Sequence, residues 1–242
     1  MKKSRILMGA LALAMVAATV TGCKKENDTR YSCNPKISKW AEKNMESFKS
    51  ASREQLSELP MSFQKASYLT LNPERRFVLW NEKLEIVKSK WDVPVQVMIE
   101  DLQQQMEVDW FSDKPLSEEI YAYLKEWENT MLSQYMDTID YAISFMQLAT
   151  EDELEKLMSN SGDHDYSWIE DHLLLKEYEA KGLPGGDYKP DCKCEWNITC
   201  GLINAGLCIS PSNYCNETYK DCGLLYAFPC KGYCEHHIVE QR

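Results

Sequence analysis

The chain has 242 residues, with 27 basic and 38 acidic side chains and a net charge of −11. A chain this acidic is not expected to bind nucleic acid or anionic lipid through its net charge, because both of these surfaces are negative. Its length suffices for one domain with a hydrophobic core and a smaller second module.

The first 23 residues predict export and a lipid anchor. A basic start, Met1–Arg5, precedes an apolar run over Ile6–Val20 that is too short to span a bilayer. The motif VTGC, ending at Cys23, resembles the lipobox of bacterial lipoproteins, in which the cysteine is lipidated and becomes the first mature residue. We therefore expect a signal peptide at 1–22, a lipidated tether at 23–35 and membrane attachment through Cys23. The alternative is an ordinary signal peptide with an incidental cysteine.

The residues after Cys23 indicate where in the cell envelope the anchor would lie. Lys24 and Lys25 follow the lipobox, where inner-membrane lipoproteins of this kind carry an aspartate. We therefore expect an outer-membrane lipoprotein, and the run Lys24–Asp28 resembles signals for surface exposure. Removal of residues 1–22 takes away three bases and no acid, which changes the net charge to −14.

Residues 36–181 contain a single glycine and predict a helical domain. Asn72-Pro73-Glu74 combines a cap residue, a proline at the first helical position and an acid, which together predict a helix start. Thr150 and Glu153 have the spacing of a capping box. The other predicted helices cover 37–48, 62–71, a segment from Pro94, a long segment from Pro115 to Leu148, and 167–181. Their apolar positions include Phe77, Trp80, Leu84, Val87, Trp91, Val97, Leu102 and Met106.

A glycine- and proline-rich stretch, 182–191, predicts a linker to a C-terminal module over 192–242. Gly185-Gly186 also has the form of a cleavage site in some bacteriocin leaders. That processing belongs to a different export route, so we interpret the pair as part of a flexible linker. Cleavage by another protease in this linker is left open.

Eight of the ten cysteines lie in the predicted module, and we expect all eight to form disulfides. They are Cys192, Cys194, Cys200, Cys208, Cys215, Cys222, Cys230 and Cys234. No pair has the CxxC spacing of zinc ribbons or thioredoxins, so no metal is predicted. An even number could close into four bridges, whose pairing the sequence leaves open. A disulfide knot that serves only as a stable cap is one interpretation. Because Cys23 would be lipidated and the eight tail cysteines would pair with one another, Cys33 in the tether is left over, and we expect it to be unpaired. The alternatives are an intermolecular bridge or a tail whose pairing is less closed.

The cysteine pattern of this module resembles that of fulvocin C, a small bacteriocin with eight cysteines in four disulfides. The shared features are the initial Cys192-Lys193-Cys194, the aromatic Tyr214 before Cys215, and Cys222-Gly223 followed by the aromatics Tyr226 and Phe228. The last two cysteines are three residues apart instead of one. The chain is similar to exported fulvocin C-related proteins, which place a helical region before such a tail. This resemblance implies a bacteriocin-like tail. Together with the lipobox, it leads us to expect a lipid-anchored, bacteriocin-like protein that acts on a target-cell component.

No enzyme site or cofactor is predicted. The sequence has no glycine-rich phosphate loop, HExxH motif or GxSxG motif. Asp163-His164-Asp165 could contact a metal, but its position after Gly162 favours a solvated turn. His236-His237 is interpreted as an exposed tail.

The alternative to the bacteriocin hypothesis is a cell-surface binding or adhesion lipoprotein without toxic activity. An enzyme with an unrecognised site is a third, weaker hypothesis.

Overall fold

The computed structural model describes residues 30–160, 191–192, 207–209, 220–230 and 232–235. Within this part of the chain the fold is mainly helical, which confirms the predicted class in its broad form. The helices are α1 (Pro35–Phe48), α2 (Arg53–Ser57), α3 (Met61–Leu69), α4 (Pro73–Lys90), α5 (Val93–Gln105), α6 (Glu118–Gln134), α7 (Thr138–Phe145) and α8 (Glu151–Asn160). A 3₁₀ helix, Val108–Phe111, lies between α5 and α6. The predicted helix at 167–181 and the linker at 182–191 lie outside the described residues, apart from Asp191.

The predicted helix starts at Asn72 and Thr150 are confirmed by their hydrogen bonds. The Asn72 side chain accepts a bond from the backbone N–H of Arg75 at 2.8 Å. At the start of α8 the Thr150 hydroxyl accepts from the Glu153 N–H at 3.1 Å, and the Glu153 carboxylate accepts from the Thr150 N–H at 2.6 Å. These bonds satisfy backbone donors that a helix leaves without partners at its start.

The single long helix predicted from Pro115 to Leu148 is wrong, because two helices occupy this segment. The helix α6 ends at Gln134, and Asp137 caps a new helix by accepting bonds from the N–H groups of Ile139 and Asp140 at 2.8 and 2.9 Å. The apolar periodicity continues across this break, so it did not mark the boundary. The short α2, with a capping box at Ser52, was not predicted.

The core is built around α4, which contacts the 3₁₀ helix and the helices α2, α5, α7 and α8. Its predicted apolar positions Trp80, Leu84 and Val87 are fully buried. On α5 the prediction fails at Val97, which is 56% exposed, whereas Leu102 and Met106 are buried. The helix α1 packs separately on α3, with Trp40 and Phe63 in edge-to-face contact at 4.8 Å.

Buried cations stabilise the ends of several segments. Arg76 on α4 donates to the carbonyls of Leu69, at the end of α3, and Phe111, at 2.6 and 2.9 Å. Lys83 donates to the carbonyl of Ile143, within the last turn of α7, and to that of Gln147, beyond the end of this helix. Carbonyls at the end of a helix lack helical partners, so a buried N–H donor can satisfy them.

The described residues of the tail form short antiparallel strands. These are β1 (Asp191–Cys192), β2 (Leu207–Ile209), β3 (Lys220–Cys222), β4 (Phe228–Pro229) and β5 (Gly232–Glu235). Three of them form a sheet in the order β1-β5-β2, and β3 pairs with β4. The register sets Cys192 opposite Gly232 and Cys208 opposite Cys234.

Candidate functional site: the docked Cys222–Cys230 loop

The most fully described part of the tail is the segment 222–230, here called the tail loop. A disulfide joins Cys222 to Cys230, with Cα atoms 5.2 Å apart. Both cysteines are buried, at 0% and 1% exposure. The strands β3 and β4 lie at the two ends of the loop, so the disulfide and the strand pair close it together.

Three residues of the tail loop adopt left-handed backbone conformations. Gly223 has φ +69°, and a Cβ at this position would lie 2.8 Å from the Phe228 ring. Glycine is therefore required by both the backbone and the close approach of the ring. Leu225 and Tyr226 have φ values of 54° and 55°, which are unfavourable for residues with side chains. Contacts around the loop must hold it in this shape.

Those contacts come from the helical domain. Residues 224–228 are all buried and belong to the same hydrophobic core as α4. The ring of Tyr226 meets those of Tyr68 on α3 and Trp80 on α4 edge to face, at centroid distances of 5.2 and 5.4 Å. Phe228 meets Tyr121 on α6 at 5.2 Å. The tail loop is therefore part of the core of the helical domain.

A buried amide connects the tail loop to two other segments. The Tyr226 hydroxyl donates to Gln64 Oε1 at 2.7 Å, and the Leu148 N–H donates to the same oxygen at 3.0 Å. The Gln64 Nε2 group donates to the Ser57 carbonyl at 3.3 Å. One side chain on α3 thus joins the end of α2, the α7–α8 connection and the tail.

A buried ammonium lies beside the disulfide. Lys65 Nζ is 3.4 Å from Cys222 Sγ and 5.6 Å from the centroid of the Tyr226 ring, and the Lys65 side chain is 2% exposed. A cation over an aromatic face is attracted by the ring quadrupole. The same cation would favour a thiolate over a thiol if the disulfide were opened.

Burial shifts the pKa values of two ionisable side chains in the surrounding core. Burial raises the pKa of Tyr68 well above its ordinary value, although the nearby Arg76 opposes the shift. Burial also lowers the pKa of Lys83 well below its ordinary value; the Arg53 charge adds to the shift and Glu153 opposes it. These groups lie in the packed core, where Lys83 and Arg53 bind main-chain carbonyls, so their role in this structure is structural.

The prediction that Cys33 is left unpaired is wrong. Its sulfur is in a disulfide, and the residue is buried just before α1. Cys222 and Cys230 are bonded to each other and are therefore excluded as its partner. Cys33 was expected to be left over because Cys23 was assigned to lipid and the eight tail cysteines to one another, and a count of cysteines cannot reveal which of them pair.

The other predicted site residues are only partly described. Cys192, Cys208 and Cys234 lie in β1, β2 and β5. The remaining predicted residues, Cys23, Cys194, Cys200 and Cys215, lie outside the described residues. So do His164, His236 and His237, which were not predicted to form a site. Among the described residues, no group of acids, histidines and cysteines could hold a metal ion. Within the same part of the chain, no helix has the length and apolar character that crossing a membrane requires.

Gln64 and Lys65 were not singled out from the sequence, although α3 carries a signal. All nine of its residues are buried, including Ser62, Gln64, Lys65 and Ser67. A surface helix usually has an apolar stripe on one side and a polar face on the other. In α3 the polar residues are not confined to one side, so the sequence shows no distinct face for solvent. A helix buried on all sides needs cover from two directions, and α1 and the tail loop provide it.

No protein-family model, curated protein or solved structure matches the chain.

Proposed function

We propose that this chain is an exported, lipid-anchored, bacteriocin-like protein whose antibacterial activity resides in the cysteine-rich module 192–242. The observation that carries the proposal is the cysteine pattern of the module, with Cys222-Gly223 followed by Tyr226 and Phe228. The Cys222–Cys230 disulfide is compatible with an oxidised module of this kind. The lipobox at Cys23 supplies the anchor, and a component of a competing cell is the partner.

The docked tail loop adds a condition to this proposal. The apolar residues Leu224, Tyr226 and Phe228 are covered by the helical domain and cannot contact another cell in this arrangement. The helical domain would therefore carry the module in a covered form. Activity would require the loop to leave its position, with or without a cut in the linker 182–191.

Growth inhibition tests the proposal. Purified full-length protein with a protease site inserted between Gly185 and Gly186 would be applied to a panel of related bacteria before and after cleavage. We expect zones of inhibition after cleavage and none after reduction and alkylation. A matched variant, Cys222→Ser with Cys230→Ser, should lose inhibition. Cleaved, oxidised protein that inhibits no strain would contradict the proposal.

The burial of the tail loop favours a second candidate, a cell-surface binding lipoprotein without toxic activity. Burying the five residues 224–228 contributes several kcal/mol to folding, since one buried large apolar side chain contributes about 1.5–3 kcal/mol. Releasing the tail loop would cost this free energy, whereas a structural role for the loop explains its burial directly. Stable attachment of the cleaved tail to the helical domain, with no inhibition of any strain, would favour this candidate.

The anchor is tested separately. Cys23→Ser should move the protein from the membrane fraction to the soluble fraction or block its maturation. A variant that still sediments with membranes and carries the same lipid mass as the wild type would contradict the lipobox assignment. Lys24→Ser, next to the lipidated residue, is the matched control and should remain lipidated.

A further inference from the structure

We propose that the Cys222–Cys230 disulfide is a thiol–disulfide exchange site that is closed while the tail loop is docked. Its substrate is a dithiol reductant, and Lys65 stabilises the thiolate that Cys222 becomes on reduction. This inference goes beyond the proposed function, because it does not depend on antibacterial activity.

The first observation is the burial of the sulfur atoms. Exchange begins when a thiolate attacks one sulfur of the disulfide, so the rate depends on access to that sulfur. Cys222 and Cys230 are at most 1% exposed, and the apolar residues between them are buried as well. A reductant can therefore reach the bond only after the tail loop has moved out of the core.

The second observation is the ammonium beside Cys222. Lys65 Nζ lies 3.4 Å from the sulfur, in a setting where water is largely excluded. A nearby cation lowers the free energy of a thiolate, and a disulfide whose reduced form is stabilised is more easily reduced. When the reduced loop is docked, the Cys222 thiolate and Lys65 form an ion pair. This charge pair replaces the contact of a cation with a neutral sulfur.

The third observation is the backbone of the tail loop. Leu225 and Tyr226 hold left-handed conformations within a ring closed by the disulfide. Docking fixes this shape through the Tyr226 hydrogen bond to Gln64 and the ring contacts with Tyr68 and Trp80. Contacts of Tyr226 therefore control how often the loop opens, and so control access to the disulfide.

The reaction is a two-electron reduction. A thiolate of the dithiol attacks Cys230 Sγ, the S–S bond breaks, and Cys222 leaves as a thiolate. The second thiol of the reductant then attacks the mixed disulfide, which releases Cys230 and makes the reductant a disulfide. The dithiol gives up two electrons and two protons. Cys230 takes up one of these protons and becomes a thiol, and the other goes to solvent, while Cys222 remains a thiolate beside Lys65.

The kinetic test uses the full-length oxidised protein with dithiothreitol as the reductant. Samples are alkylated at intervals, and the modified cysteines are identified by mass spectrometry. We expect Tyr226→Ala to speed reduction of Cys222–Cys230 by about a hundredfold or more, because it removes a buried aromatic side chain. Tyr226→Phe removes only the hydrogen bond and should give about a threefold to tenfold increase. Should Tyr226→Ala fail to fold by circular dichroism, Tyr226→Phe decides the result.

The matched control for these variants is Tyr135→Ala, at a tyrosine directly after α6 that is 37% exposed, and its rate should equal that of the wild type. A wild-type bond that is reduced as fast as a fully exposed disulfide would overturn the proposal. So would equal rates for the wild type and Tyr226→Phe.

The equilibrium test uses glutathione buffers of graded redox potential. Lys65→Met keeps the length of the side chain and removes its charge, so it should shift the equilibrium towards the disulfide by about tenfold, as expected for the loss of a charge-assisted contact. Lys49→Met, at an exposed lysine on the segment after α1, should give the wild-type equilibrium. A Lys65→Met equilibrium equal to that of the wild type would overturn the role of Lys65. Neither the kinetic nor the equilibrium test measures bacterial killing. A negative result in either test would therefore contradict the exchange site and leave the proposed function unaffected.

Discussion

At the scale of single residues, buried polar side chains determine how the segments fit together. Gln64 joins α2, the α7–α8 connection and the tail loop, and Lys83 and Arg53 bind carbonyls near the end of α7. A buried polar group is stabilising only when its partners are present, because an unpaired one costs about 1–3 kcal/mol. These side chains therefore favour a single arrangement of the segments around them.

Lys83 should make stability depend on pH. Its pKa in the folded protein is lowered, chiefly by burial, so the unfolded chain binds the proton more readily. The wild type should therefore lose stability relative to Lys83→Met as the pH falls from the ordinary lysine pKa towards the lowered one. The slope reaches at most about 1.4 kcal/mol per pH unit.

The measurement is urea unfolding of the wild type and Lys83→Met at pH 7 and pH 9. We expect the free energy of unfolding of the wild type, relative to that of Lys83→Met, to be larger at pH 9 than at pH 7. The carbonyls of Ile143 and Gln147 lose their donor in the variant at both pH values, so that loss cancels in the comparison. An equal difference at the two pH values would show that Lys83 has an ordinary pKa.

At the scale of elements, the sequence predicts helices best where a local capping signal exists. Asn72 and Thr150 were found because the cap residue and its partner lie within three positions of each other. The break between α6 and α7 was missed because apolar residues continue through it and Asp137 was not recognised as a cap. The docking of the tail loop on α3 joins residues about 160 positions apart, as in the Tyr226–Gln64 bond. No local pattern encodes such a contact.

The cap at Asp137 should contribute measurably to stability. Asp137→Ala removes the acceptor for two N–H groups at the start of α7 and should lower the free energy of unfolding by about 1 kcal/mol. Asp92→Ala provides a matched control, because Asp92 occupies the same position before α5 without a side-chain cap bond. Chemical denaturation should show a change of less than about 0.5 kcal/mol for the control. Equal losses in both variants would argue against a specific role for the Asp137 bonds.

At the scale of the whole molecule, the tail and the helical domain are not independent in the described residues. The sequence predicted a helical domain at 36–181 and a separate module at 192–242. Tyr226 and Phe228 nevertheless fill part of the core. The bounds of the predicted domains remain predictions, while the contact between their described parts is a feature of the fold.

If Cys23 is lipidated, as proposed, the pairing of Cys33 restricts which cysteine can remain unpaired. With the Cys23 sulfur blocked by lipid, nine of the ten cysteines remain, and nine cannot all pair within one chain. We expect alkylation of the denatured, unreduced protein to modify neither Cys33, Cys222 nor Cys230. One other cysteine should be alkylated or joined to a second chain. Alkylation of Cys33 would contradict the structure, and a chain with ten paired cysteines would contradict lipidation at Cys23.

The central claim is that residues 224–228 are part of the helical core. Hydrogen–deuterium exchange of the native full-length protein, followed by digestion and mass spectrometry, measures this most directly. Peptides covering 224–228 should exchange as slowly as those from α4, because both lie in one buried cluster. Exchange of the tail loop at the rate of an exposed segment, while α4 stays protected, would contradict the account.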